Sequence, residues 1–154
     1  MIERKSTSPE LSRVHGEIPL RSLYTAGIAG EAFFRAIKDR GELIGSRCKP
    51  CNQVYVPSRI FCERCFAELS DTVRVGLAGR VVALTQVHLG MDNERLAEPV
   101  TVVAVQLDGA STALVHRLRS GITGAKVGMR VRAVLRPPGE RVGGILDLLH
   151  FDVP

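Results

Sequence analysis

Apolar positions fall into different regimes along the chain. Residues 1–20 mix charge and breakers without a period, with Pro9, Gly16 and Pro19 interrupting, which predicts a flexible N-terminal arm or a segment lying on another surface. Over 21–41 the spacing turns helical, at least from Gly30. Ala32, Phe33, Ala36 and Ile37 make one apolar stripe, Lys38 and Arg40 suit the negative end of the helix dipole, and Gly41 is a natural stop. Phe34 flanks the stripe, so Phe33, Phe34 and Ile37 give this leading segment a wide apolar face, for its own core or for docking a partner.

From 42 to 69 apolar residues are sparse and sit in short extended runs. Glu42 to Ser46 reads as a strand, Val54-Tyr55-Val56 as a second stopped by Pro57, and Arg59-Ile60-Phe61 as a return. The composition shifts near Ser70-Asp71, and 70–154 is β-branched and punctuated by Gly. Strands are expected over Arg80–Leu89, Val100–Leu107, Thr112–Leu118, Arg130–Arg136 and Ile145–Phe151, with a hairpin signal at Asp108-Gly109. Five antiparallel strands in ~80 residues suit a closed barrel, which removes exposed edges, and the OB-fold is the best single expectation. The fold class is therefore mainly β: a leading helix, a short-stranded ribbon and a five-stranded OB-fold barrel.

The chain has four cysteines, and all lie in the ribbon segment as Cys48-Lys-Pro-Cys51 and Cys62-Glu-Arg-Cys65. Two C-x-x-C knuckles separated by ten residues make a tetrahedral thiolate site with no open coordination position, which holds structure and does not activate water. Structural zinc is the first reading. A rubredoxin-type iron centre uses the same ligands, and two disulfides are a further alternative. Against iron stands the residue after each second cysteine, where the backbone turns left-handed: Asn52 accepts that conformation, whereas Phe66 would do so only under strain. Tyr55, Phe61 and Phe66 are expected to wrap the sulfurs, with Arg47, Lys49, Arg59 and Arg64 offsetting the net charge of the centre.

Net charge is +5, most of it from Arg. That balance admits nucleic acid, phosphate-bearing small molecules or an acidic protein surface. Between Ala67 and His150 there is no Phe, Tyr or Trp, so the barrel lacks the stacking platforms on which single-stranded nucleic acid is held. Arg130, Arg132 and Arg136 alternate with apolar residues, and with Lys126 they form a candidate patch for phosphates or an acidic protein surface, or a solvated edge. His15, His88, His116 and His150 are scattered, no Gly-rich phosphate loop stands between a strand and a helix, and the cysteines are committed to metal. No catalytic set emerges. No apolar run approaches a membrane span, and the N-terminus lacks an apolar signal core, so a cytoplasmic location is expected.

The order of these pieces resembles domain-of-unknown-function family 35. The resemblance covers roughly Ala32 to Phe151 and rests on Phe33-Phe34, Gly45-Ser46-Arg47-Cys48-x-x-Cys51, Pro57-x-Arg59-x-x-Cys62-x-x-Cys65, Gly79-Arg80-Val81-Val82, Pro99 to Asp108-Gly109, Val127 to Val131 and Leu149-His150-Phe151. Asn52 stands where the family usually has Gly, and Glu63 where it often has Pro. The resemblance implies a rubredoxin-like zinc ribbon followed by an OB-fold, and an acyl-CoA-associated accessory subunit of a thiolase-fold enzyme. Such a subunit is not itself catalytic; it docks beside the active site or bridges enzymes so that a CoA thioester can pass. The partner of a thiolase for an aromatic 3-oxoacyl-CoA is one specific form. A nucleic-acid-binding ribbon and OB-fold protein is the alternative function.

Overall fold

The structure is a computed structural model that describes residues 23–90 and 93–154; the expected N-terminal arm, 1–20, lies outside them. Its elements run α1 (Gly27–Arg35), a π-helical turn (Ala36–Arg40), then β1 (Leu43–Arg47), β2 (Val54–Tyr55), β3 (Asp71–Val75), β4 (Ala78–Leu89), β5 (Arg95–Leu107), β6 (Ala113–Arg117), β7 (Arg130–Leu135) and β8 (Leu148–Asp152). The mainly β class with one leading helix is as the residue pattern predicts. No helix among the described residues is long and apolar enough to cross a membrane.

The leading helix stops at Gly41, which takes a left-handed φ of 66°. Glu42 N then bonds back to Ala36 O at 3.2 Å, which turns the chain into β1. The helix starts at Gly27, so residues 23–26 of the expected helical segment are outside it. Its apolar stripe faces inward. Phe33, Ala36 and Ile37 are fully buried, in one cluster with Leu43 and Ile44 of β1, Val75 of β3 and the barrel residues Val81, Val103, Val131 and Phe151. Phe33 and Ile37 therefore cannot present the partner-docking face considered for them. Burial of a side chain of that size is worth roughly 1.5–3 kcal/mol, which the protein's own core already takes. Phe34 is half-buried, edge-on to Phe33 at 5.6 Å.

Two sheets follow. The first has the order β2-β1-β3. Its third strand, Asp71–Val75, which is not among the expected strands, pairs antiparallel with all of β1 and alternates between exposed Thr72 and Arg74 and more buried Val73 and Val75. The expected return strand at Arg59–Phe61 is reduced to a single bridge between Phe61 and Glu68. The second sheet has the order β6-β5-β4-β7-β8, and a parallel bridge between Leu118 and Phe151, with Arg119 N bonding Phe151 O at 2.8 Å, closes it into a barrel. This is the connectivity of an OB-fold. All five expected strands are present, but the last begins only at Leu148, because Ile145–Asp147 forms a 3-10 turn around the buried Asp147 carboxylate. The second one runs back through Pro99 to Arg95, so β4 and β5 continue as a hairpin beyond the barrel. Proline is tolerated there because the strand has become an edge.

Ribbon and barrel are stitched together just before the start of β6. Ser111 N bonds Val54 O, Val54 N bonds Ser111 Oγ, and Thr112 Oγ1 both accepts from Val56 N and donates to Val56 O, all at 2.8–3.0 Å. Between β7 and β8 the loop is organised by Asp147, which is fully buried. Burial alone would disfavour its charge, but the N–H groups of Val142, Gly143 and Gly144 donate to it at 2.7–3.3 Å, and these with nearby Arg136 hold the carboxyl below the usual carboxylate range.

Candidate metal centre

Strand β1 delivers Cys48 to the first knuckle, where Cys48 N bonds Gln53 O at 2.8 Å and Asn52 turns left-handed. The second knuckle repeats this turn. Cys62 N bonds Ala67 O at 2.9 Å, Phe66 N bonds Cys62 O at 3.0 Å, and Arg64 N donates to the Cys62 sulfur at 3.4 Å. Phe66 has φ 58°, the same left-handed conformation as Asn52. The strain expected at Phe66 thus exists and is accepted, and the objection to rubredoxin geometry that rested on it falls. The turn is set by the cysteine-centred hydrogen bonds, which override a local preference of about 1–2 kcal/mol.

The four sulfurs lie within 4.8 Å of one another. Cys48 Sγ is 3.5 Å from Cys65 Sγ, and Cys62 Sγ is 3.9 Å from Cys51 Sγ. A tetrahedron of thiolates at about 2.3 Å from a central cation has edges of about 3.8 Å, so the set fits a single Zn(Cys)4-type ion. It does not fit disulfides, whose sulfurs are ~2 Å apart, and all four cysteines are free. The four cysteines are positioned to bind a metal.

Around them packs a cluster separate from the main core: Cys48, Cys62, Tyr55 and Leu69, with Cys51 and Ala67 at its margin. Tyr55 is the element that matters most to the chemistry. Its hydroxyl is 3.2 Å from the Cys62 sulfur, and the Arg59 guanidinium lies over its ring at 5.2 Å while pairing with Glu63 at 2.7 Å. Donation from Tyr55, opposed by burial and helped by the amides of Cys65 and Arg64, lowers the Cys62 thiol to about 6. The Tyr55 hydroxyl is correspondingly pushed up to about 12. Cys51 is also pushed up to about 12, by its contact with Cys65 and by burial, and burial raises Cys48.

Replacing Tyr55 with Phe keeps the ring packing and removes the donor. Roughly tenfold weaker metal affinity is expected, in the range seen for lost outer hydrogen bonds, as measured by competition with a chromophoric chelator. An unchanged affinity would mean that the hydroxyl only fills space.

The other aromatics expected around the sulfurs are not there. Phe61 and Phe66 are 60% and 80% exposed and project from the second knuckle, with Ile60 at 41%. The basic residues of the ribbon divide similarly: Arg59 is engaged by Tyr55 and Glu63, whereas Arg47, Lys49 and Arg64 are exposed and make no ion pair among the described residues.

The candidate phosphate patch on the barrel is partly engaged within the protein. Arg130 makes a bidentate pair with Asp108 at 2.7 and 2.8 Å, which raises the Arg130 guanidinium and holds the Asp108 carboxyl down. Arg136 lies beyond the end of β7 and donates to Leu146 O. Only Lys126 and Arg132 of the four remain exposed without a side-chain partner among the described residues. Asp108 was legible only as a turn residue, because its partner is 22 positions away.

Comparison with known proteins agrees with this architecture. A family model described as ChsH2, rubredoxin-like zinc ribbon domain, matches residues 35–70, and one described as ChsH2, C-terminal OB-fold domain, matches 72–136. The chain is 30% identical over 109 residues to a DUF35 domain-containing scaffold protein of Methanocaldococcus jannaschii, spanning 67% of this chain and 74% of that one. A DUF35 family crystal structure from Sulfolobus solfataricus, of unknown function, superimposes with a TM-score of 0.58 at 28% identity, covering 70% of this chain and 78% of the other. An Ltp2-ChsH2(DUF35) aldolase shares the fold with a TM-score of 0.57 at 22% identity, covering 79% and 91%.

Proposed function

The chain belongs to the DUF35 family of zinc ribbon and OB-fold proteins, and from that premise we propose that it is a zinc-containing, non-catalytic accessory subunit of a thiolase-type enzyme acting on acyl-CoA. The observation that carries this reading is the division of labour at the ribbon. All four thiols are spent on one closed tetrahedron backed by Tyr55, while Phe61 and Phe66 of the second knuckle face solvent rather than the metal. A closed site supplies no open position for substrate, so the metal's role is to hold Phe61, Phe66, Lys49 and Arg64 in place. Aromatic and Arg side chains on a rigid turn are what dominates protein–protein binding energy. Support also comes from a relative described as a scaffold protein and from a fold neighbour described as an Ltp2-ChsH2 aldolase. Supporting the CoA-thioester site of the partner, including that of an aromatic 3-oxoacyl-CoA thiolase, is part of this proposal.

The test is co-expression of the tagged chain with a thiolase-fold enzyme from the same source. The expected result is a stable complex containing stoichiometric, colourless zinc, with C–C bond cleavage or formation on an acyl-CoA measured in the complex and none in the isolated chain. Turnover by the isolated chain overturns the accessory role. A coloured, iron-containing protein overturns the metal assignment.

A further inference from the structure

The long hairpin beyond the barrel leaves one strand edge bare. Strand β7 pairs with β4 only at Ala78, Gly79 and Arg80, and that ladder ends where Val81 N bonds Met129 O and Gly128 N bonds Val81 O. After the bulge that follows Val81, β4 has β5 on one side through to Leu89 and no strand on the other among the described residues. Val82 and Leu89 are 43% and 52% exposed, and no residue from Val82 to Leu89 is buried.

Which backbone groups face that open side follows from the ladder. Leu118 N bonds Thr101 O, which turns Thr101 toward β6, so the next residue, Val102, bonds toward β4, opposite Thr85. Thr85 is therefore tied to β5, and the N–H and C=O groups of Leu84, Gln86 and His88 point away from it. Edge strands are usually guarded by Lys, Pro, an inward charge or a bulge that turns the edge aside. Val82-Ala-Leu-Thr-Gln-Val-His-Leu89 has no Lys, Arg, Asp, Glu, Pro or Gly within it, and between the register shifts that follow Val81 and Val87 it pairs regularly with β5 from Ala83 to Val87. A two-stranded ribbon standing alone in water is marginally stable, whereas four strands are not.

We propose that this edge pairs with itself, joining two copies of the chain through antiparallel β4 strands. The occupant is a second copy because the edge is complementary to its own two-fold image. An antiparallel register centred on Gln86 sets Gln86 opposite Gln86 of the second copy and Leu84 opposite His88. All three outward-facing residues of each strand then meet one another, in about six backbone hydrogen bonds. Thr85 falls opposite Val87, and no like charges are brought together. The β5-β4 ribbon of each copy becomes half of a four-stranded sheet. This edge is remote in sequence from the ribbon knuckle proposed to meet an enzyme, and its failure would leave that reading untouched.

The experiment is sedimentation velocity on the zinc-loaded full chain over a concentration series, with Gln86→Lys, Gln86→Glu and their equimolar mixture. Gln86 is exposed, so both variants should retain zinc content and far-UV circular dichroism. The wild type should pass from monomer to dimer with rising concentration. Each single variant opposes like charges at the two-fold axis and should dissociate about tenfold more readily, and the mixture should regain the dimer as opposite charges meet. A wild type that stays monomeric up to about 100 µM overturns the proposal, since weaker association falls below about 5.5 kcal/mol. So do single variants that associate as well as the wild type, or a mixture that fails to recover.

Discussion

Removal of the metal is expected to unfold the ribbon and to destabilise the barrel with it. Binding of zinc by a Cys-rich module contributes on the order of 10–16 kcal/mol at neutral pH, comparable to or larger than the ~5–15 kcal/mol that separates a folded domain from its unfolded chain. Tyr55, Cys48, Cys62 and Leu69 form a cluster too small to hold the knuckles alone. Leu43, Ile44, Val54, Val56 and Val75, however, belong to the same core as Phe33 and the barrel strands. Loss of the knuckles therefore loosens β2 and β1 against the barrel rather than melting a separate appendage. A strong chelator, or Cys62→Ser, should lower the midpoint of thermal unfolding by roughly 10–20 °C for each ~5 kcal/mol lost, read by calorimetry. Retention of the wild-type midpoint after verified metal loss would show that the tetrahedron is not structural.

The pH dependence of that loss has a definite sign. In the metal-free chain the lowered thiol of Cys62 adds stability that is complete above its unfolded value near 9 and is lost as pH falls through about 6. The raised thiols of Cys48 and Cys51 act oppositely: their contribution is present below about 9 and lost as pH rises toward their elevated values. These partly offset one another. A bound cation requires every sulfur as thiolate, so metal affinity should climb with pH, and because the cation itself holds the sulfurs deprotonated, release should need a pH below the metal-free range of Cys62.

How much of this was readable in the residues depends on how local each signal is. The knuckles, the Gly41 stop and the five barrel strands are written in a few adjacent positions, and the structure has all of them. Asp71–Val75 alternates as a strand should, but it is only five residues long, sits at the composition boundary, and has its partner, β1, on the far side of both knuckles. The helical stripe of Phe33, Ala36 and Ile37 was plain, but periodicity says that a face is apolar and not what covers it. The inward direction of that stripe comes from Leu43, Val75 and the barrel. Phe66 illustrates the converse. An aromatic beside a cysteine suggested packing on sulfur, yet the left-handed turn required by the Cys62 hydrogen bonds swings its side chain into solvent. The Arg130 pair with Asp108 is non-local, and the Asp147 carboxylate gathers the amides of Val142, Gly143 and Gly144 in a local loop; neither leaves a periodic trace.

That exposure makes Phe61→Asp with Phe66→Asp the sharpest separation of docking from stability. Neither ring contributes to a buried cluster, and Phe66 already occupies a conformation that Asp tolerates better than Phe, so the double variant should keep its metal and its thermal midpoint within a few degrees. An interface that seats both rings should lose at least ~2 kcal/mol for each, about a thousandfold in dissociation constant for the pair, and introduced negative charge compounds this if the partner's rim is acidic, as the unpaired Lys49 and Arg64 suggest. The comparison is Phe33→Asp, which puts a charge at a fully buried core position and should unfold the chain outright, losing partner and structure together. Isothermal titration of the metal-loaded variants against the thiolase-type enzyme distinguishes the two. Affinity unchanged in the Phe61 and Phe66 double variant would remove the second knuckle from the interface, whereas loss of binding with metal and fold intact would place the contact there.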